Sequence, residues 1–206
     1  MELSPKNLST KELHKLMTST IMPRPIGWIS SIDEAGHINL APFSFFNIVC
    51  PNPPHVLFCP GIRRQTKLPK DTLTNVKTTG EFVVNIVTES LAQAMNTSAT
   101  ELPPTENEFE LAGLTALPSV HVKPPRVAES PINYECRVVH IYEVGQQAGN
   151  GSVVIGEIVH IHVNEAIVSD DLHIEIAELK PIGLLRGSNY CRVTDQIEIP
   201  RPAPKL

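Results

Sequence analysis

The chain lacks most of the features by which common function classes are read from sequence. It has no GxGxxG or Walker-type glycine loop, which excludes a nucleoside triphosphate cradle and argues against a parallel α/β dinucleotide fold. No stretch reaches the roughly 20 apolar residues of a transmembrane helix. The opening MELSPKNLSTKELHKLM has no apolar run behind a basic segment, so neither a secretory leader nor a membrane partner is expected. The four cysteines, Cys50, Cys59, Cys136 and Cys191, form no CxxC. Zinc ribbons and redox dithiols are therefore excluded, and reduced thiols in a cytoplasmic protein are expected. There is no GxSxG and no cysteine in a protease context. With 17 Lys and Arg against 22 Asp and Glu, a net charge of −5, the chain lacks the basic face that nucleic acid requires.

What is present is a β-rich globular chain, 41% hydrophobic and 19% charged. Its length suits one domain over residues 1–206, with a core at about 20–190 and peripheral ends. STKELHKLM carries a capping-box pattern and predicts a short helix over 9–17. Residues 24–32 and 37–49 flank the turn DEAG and read as a hairpin. HVLFCP, 55–60, follows PNPP as a third strand. Asp71 or Thr72 caps a helix of about two turns that Gly80 ends, and EFVVNIV, 81–87, is a buried strand. SLAQAMNTSA predicts another helix. ELPPTENEFELAGLTALPS reads as a polar excursion over the surface. Two long alternating runs, NYECRVVHIYEVG and SVVIGEIVHIHVNEAIV, form a second hairpin across QQAGNG. The proline-rich end IPRPAPKL reads as a surface tail. About seven strands with short helices between them predict a mainly β fold, an antiparallel barrel with peripheral helices.

Candidate chemistry gathers in two places. Arg63, Arg64, Lys67 and Lys70 stand immediately before a predicted helix start, where free amides and the helix dipole favour a phosphate; a solvated basic loop is the plain alternative. APFSFFN sets polar residues among aromatic ones, so Asn39, Ser44 and Asn47 are placed to bond a ligand while Trp28, Phe45 and Phe46 wall its ring. His160 and His162 share a strand face near Glu165, the basis for a cupin-like metal barrel, but the spacing does not fit that motif and no metal site is expected. No acid, base or nucleophile stands out. That suits a protein whose cofactor carries the chemistry.

In order along the chain, PRPIGWISSIDEAGHINLAPFSFFN, NPPHVLF, KDTLTN, GEFVVNIV, ESPINYECRV, IGEIVHIHV and RGSNY resemble the flavin reductase-like family of FMN-binding split β-barrels, which includes flavoredoxins. The resemblance runs from about Pro23 to Tyr190. It implies a Greek-key antiparallel split β-barrel, a homodimer with FMN near its interface, and either NAD(P)H-dependent flavin reduction or non-enzymatic electron carriage. It also implies site residues: Ser44, Phe45, Phe46 and Asn47 beside the flavin ring and ribityl chain, and Lys70, Asp71 and Thr72 at the phosphate end, with Asp71 as the helix cap. Arg24, Ser30 and Ser31 of the first strand are further cofactor-binding candidates, and RGSNY would bring Arg186 and Tyr190 towards the flavin.

Overall fold

The first helix begins where its capping box lies. The Ser9 hydroxyl accepts from the Glu12 N–H at 3.3 Å while the Glu12 carboxylate accepts from the Ser9 N–H at 2.8 Å, which fixes the start of α1 (Thr10–Thr20). This is a computed structural model, and it describes residues 1–63, 66–103, 106–145 and 149–204. Strand β1 (Gly27–Ile32) pairs antiparallel with β2 (Ile38–Phe43) around the DEAG turn, where Gly36 holds a φ of +94° that glycine tolerates without strain.

The predicted strand over 37–49 is two strands. It breaks after Phe43, and Ser44 and Phe45 link β2 to β3 (Phe46–Pro51), which pairs with β4 (Pro54–Phe58). Next come α2 (Asp71–Thr79), β5 (Glu81–Ile86), α3 (Ala92–Thr97) and α4 (Glu108–Ala112), then the two-residue strands β6 (Ala116–Leu117) and β7 (Arg126–Val127). The long pair β8 (Ile132–Glu143) and β9 (Ser152–Val163) is followed by α5 (Ile176–Leu179), β10 (Ile182–Leu184) and β11 (Tyr190–Arg192).

The main sheet has seven strands in the order β2-β1-β5-β8-β9-β4-β3, and every neighbouring pair is antiparallel. Its two edge strands, β2 and β3, are thus joined by a two-residue link. So short a tether obliges the sheet to curl until its edges lie side by side without pairing. The result is the expected mainly β, antiparallel split barrel with short peripheral helices.

Both faces of β1 are buried, which is why its sequence does not alternate cleanly. Ile29 packs inside the barrel with Phe43, Phe58, Phe82 and Val154, and α2 adds Leu73 and Val76 to that cluster. Trp28, on the other face, packs with Leu40, Met95, Phe109 and Val127. The region read as a polar surface excursion therefore contributes core: Phe109 of α4 is buried in this second cluster.

Tight packing inside the barrel makes a direct prediction. A methyl group at Gly156 of β9 would stand 2.4 Å from the Phe82 ring and 3.3 Å from the Arg137 carbonyl oxygen. Phe82 is fully buried against Phe58, with ring centroids 5.1 Å apart, so it has no room to retreat. Gly156→Ala is expected to lower unfolding free energy by about 1–3 kcal/mol in urea titration; a change below about 0.5 kcal/mol would contradict this packing.

Candidate functional site

Arg24 is the polar anchor of the region in front of β1. Its main chain exchanges 2.9 Å hydrogen bonds with Leu184 in both directions. The guanidinium donates through Nη1 to the Thr18 and Ile21 carbonyls at 2.7 and 3.1 Å, through Nη2 to the Leu185 carbonyl at 2.8 Å, and through Nε to the Ser44 hydroxyl at 3.3 Å. Thr18 and Ile21 are at the C-terminal end of α1, where the helix dipole favours a cation. Burial pulls the Arg24 pKa down from the usual guanidinium range, yet such a group keeps its charge in a protein. Only 6% of the residue is exposed.

The start of α2 differs from the expectation in one respect. Lys70, not Asp71, is the N-cap, and its carbonyl accepts from Leu73 and Thr74 at 2.9 and 3.2 Å. Asp71 is drawn away because its carboxylate accepts from Arg63 Nη2 at 2.6 Å. Arg63 also lies 3.8 Å from Glu101, so its charge is already answered. Lys67 is exposed, and Arg64 lies outside the described residues. Of the described members of the basic cluster, Lys70 lines the cavity at the β2–β3 link and Arg63 and Lys67 do not.

That cavity, about 390 Å³, is bounded by His14 and Thr18 of α1, Arg24, the run Pro42 to Phe45, Cys59, Gly61, Lys70, Leu184 and Gly187. Among the described residues no carboxylate lines it. Burial pushes the Cys59 thiol up, so it stays neutral there. Lys70 Nζ lies 5.8 Å from the centroid of the Phe43 ring. Four of the expected ligand-binding residues, Arg24, Ser44, Phe45 and Lys70, are therefore brought together. Sequence reasoning missed His14, Thr18, Cys59 and Leu184, which no local motif marks.

The other candidates are placed differently. Asp71 and Thr72 line a smaller neighbouring cavity with Lys70 and Pro42. Thr72 is 1% exposed and its hydroxyl donates to Asn39 Oδ1 at 2.7 Å. Asn39 donates in turn to Glu108 at 2.7 Å, and the Ser31 hydroxyl donates to Asn39 Oδ1 at 3.3 Å and accepts from Asn75 at 3.1 Å. The second Glu108 oxygen accepts from the Leu40 N–H at 2.9 Å. Burial pushes the Glu108 carboxyl up, and the Leu40 and Asn39 donors offset part of that rise. Ser30 is fully buried and donates to the Pro125 carbonyl. Asn39, Ser30, Ser31 and Thr72 thus bond within the fold.

Trp28 is fully buried, with Nε1 donating to the Ser98 hydroxyl at 2.8 Å, so it walls no cavity. Phe46 covers Gly27, where a methyl would stand 2.6 Å from its ring. Asn47 is exposed, and its side-chain oxygen accepts from the Ile48 N–H. The RGSNY segment reaches the cavity at the β2–β3 link through Gly187, while Arg186 and Tyr190 do not line it.

The histidine pair has a structural partner. His162 Nε2 lies 2.7 Å from Glu135 Oε1, and Glu135, fully buried, also accepts from the N–H groups of Val120 and His121 at 2.7 and 2.6 Å. The His160 ring packs edge-on between His121 and His162. Among the described residues no group of three His, Cys, Asp or Glu side chains is arranged to hold a metal ion.

A profile of the flavin reductase like domain matches residues 17–192. An uncharacterized protein of Halalkalibacterium halodurans is 38% identical over 204 residues, covering 98% of this chain and 97% of its own. Among solved structures, nitrilotriacetate monooxygenase component B from Bacillus cereus superposes with a TM-score of 0.91 at 36% identity, covering 97% of this chain and 98% of that one. The Pseudomonas fluorescens 2-nitrobenzoate 2-nitroreductase NbaA gives 0.87 at 30% identity, with 98% and 96% covered.

Glu135 supplies a pH prediction. Burial pushes its carboxyl up, but the His162 ring and the two main-chain N–H groups outweigh burial, so its pKa falls below the usual value. The folded carboxyl then holds its proton less tightly than the unfolded one. Its contribution is present above the ordinary glutamate range and is lost as pH falls through the lowered folded value. Glu135→Gln is expected to cost about 1–3 kcal/mol at neutral pH, with the gap to the unaltered protein closing on acidification. A gap that urea titrations find independent of pH would refute this role.

Proposed function

The chain belongs to the flavin reductase like domain family, and we propose that it is a single-domain FMN-binding flavoprotein that oxidises NAD(P)H and passes the electrons to a flavin or another acceptor. One observation carries this reading: the cavity at the β2–β3 link joins Lys70 and Arg24 to aromatic walls and contains no carboxylate among the described residues. FMN is an anionic phosphate attached to a planar ring, and the donor set fits both parts.

Lys70 stands at the N-cap of α2. Its ammonium and the unpaired amides of the first turn suit the phosphate. Ser44 offers a hydroxyl near the ring, and Phe43 and Phe45 offer apolar surface. Asp71 and Thr72 serve the same end indirectly. Through Arg63 and Asn39 they hold the first turn of α2 in place. Bound FMN would supply the hydride chemistry, so the protein's task is to position reactants and exclude water.

We also propose a homodimer. β9 pairs with β4 only over Val154–Glu157, and its His160–His162 stretch pairs with β8 alone. β3 is a sheet edge and exposes 70% of Ile48 and 45% of Val49, with Phe45 beside it at 46%. An apolar sheet edge of this kind calls for a cover, and a second copy there would set the cavity beside the subunit seam. The four free thiols suit the cytoplasm.

The test is an FMN titration followed by absorbance near 450 nm and by flavin fluorescence, with light scattering for mass. Lys70→Ala should weaken FMN by about 10- to 100-fold while leaving riboflavin nearly unchanged, the loss of one charge-assisted bond. Thr72→Val should lower stability without distinguishing the two flavins. Equal losses of FMN and riboflavin in Lys70→Ala would move the phosphate elsewhere, and a monomer that retains FMN would refute the dimer. Tight FMN binding without NAD(P)H oxidation would make the protein an electron carrier.

A further inference from the structure

The main sheet has a step in it. β4 pairs with β9 only as far as Glu157, so residues 159–163 of β9 carry β8 on one side and no strand on the other. Among the described residues no main-chain hydrogen bond reaches this stretch from the open side. That edge faces the way β4 and β3 lie, the same way as the free edge of β3. Its two faces differ. Ile161 and Val163 are exposed on one, and His160 and His162 stand on the other with Glu135. Beside His162 is a cavity of about 440 Å³ that includes Arg126. Arg126 donates to the Pro118 carbonyl at 3.3 Å and has no acid partner among the described residues. Glu129, the acid on that cavity, accepts instead from the Thr115 N–H at 3.0 and 3.2 Å. An unpaired strand edge with an apolar stripe is a template for another strand.

The C-terminal tail has the matching pattern. Val193 donates its N–H to the Pro181 carbonyl at 3.3 Å, and beyond it, among the described residues, the tail makes no hydrogen bond. Its sequence runs Asp195, Gln196, Ile197, Glu198, Ile199, Pro200. The two isoleucines alternate with polar residues, the period of a strand with one apolar face, yet they are 84% and 78% exposed. Pro200 has no N–H to give a ladder and ends such a strand. Extended, the tail past Val193 spans about 35 Å, enough to cross a subunit seam.

We propose that residues 196–199 of one subunit add as a strand to the open β9 edge of its partner, so that two copies of the chain exchange tails. The strand period of two fixes the chemistry of the seat. With Ile197 and Ile199 on the face of Ile161 and Val163, Glu198 lies on the other face, opposite His162 and towards Arg126. The added strand gives this match whichever way it runs along the edge. It covers four exposed apolar side chains at once and brings an acid to a cation that has none. The step in the sheet opens where Pro54 begins β4, on the side of the free β3 edge, so the tail seat and that edge belong to one continuous interface. The exchange rests on the homodimer proposed above and not on FMN binding.

The experiment uses the full chain. Ile161→Cys is combined with Ile197→Cys or with Ile199→Cys, the two cross-strand neighbours that the two strand directions allow, and each protein is mildly oxidised and run on a non-reducing gel. One of the two double variants should give a covalent dimer that none of the single variants gives. Separately, Ile197→Asp with Ile199→Asp should raise the dimer's dissociation constant, read by light scattering over a dilution series, by about tenfold or more. A covalent monomer alone would place the tail on its own subunit and overturn the exchange. No cross-link beyond those of the single variants, or association unchanged in Ile197→Asp with Ile199→Asp, would overturn it as well and leave the homodimer standing. An unaltered protein that stays monomeric would overturn the homodimer first, and the exchange with it.

Discussion

The two-residue link of Ser44 and Phe45 is the constraint on which the rest of the structure depends. It joins the two edge strands of a seven-stranded sheet, and a tether of that length cannot span an open sheet seven strands wide. The sheet must therefore close on itself, and closure leaves a slot where β2 and β3 lie adjacent but unpaired. Pro42 to Phe45 line the cavity at that slot. The same covalent fact that makes the barrel split also puts a hydroxyl and two aromatic rings at its opening.

Around that slot the fold separates two kinds of polar residue. Asn39, Ser31, Thr72, Asn75 and Glu108 form a buried network in which each side chain has a partner inside the protein. This network ties β2 to α2 and to α4, and Glu108 occupies the Leu40 N–H on the sheet's outer edge. Arg24, Lys70 and Ser44 keep a face on the cavity. Substitutions in the first group would disturb ligand binding only by loosening the elements that carry the second. Loss of binding in a Thr72 or Asn39 variant is therefore no evidence that either residue touches a ligand.

Much of the fold was legible in the residues, and the misreadings have physical causes. The Ser9–Glu12 capping box, the DEAG turn and the Gly80 terminus of α2 were local signals, settled by chemistry within a few residues. The break at Ser44 was not local. Nothing between Ile38 and Cys50 interrupts the β-forming run except Pro42, which sits within β2, an edge strand that tolerates it. Asn39 looked like a ligand residue because a strand buried on one face is expected to alternate, whereas β1 and β2 are packed on both sides. Its partner Glu108 is 69 residues away in sequence, in a region whose prolines and acids read as surface. Long-range pairing of that kind leaves no periodic trace.

The candidate site shows the same division. Lys70 and Ser44 were legible because a basic residue at a helix start and a hydroxyl beside aromatics are arrangements that chemistry restricts. His14 and Leu184 were not, since they come from segments about 170 residues apart, each of which Arg24 bonds. Its guanidinium binds the α1 carbonyls and the Leu185 carbonyl at once, while Leu184 exchanges main-chain bonds with it. One buried cation thus gathers the chain's two ends over the slot and, having spent its hydrogen bonds on neutral groups, leaves the cavity positive. The electrostatics of the site follow from how the ends are fastened.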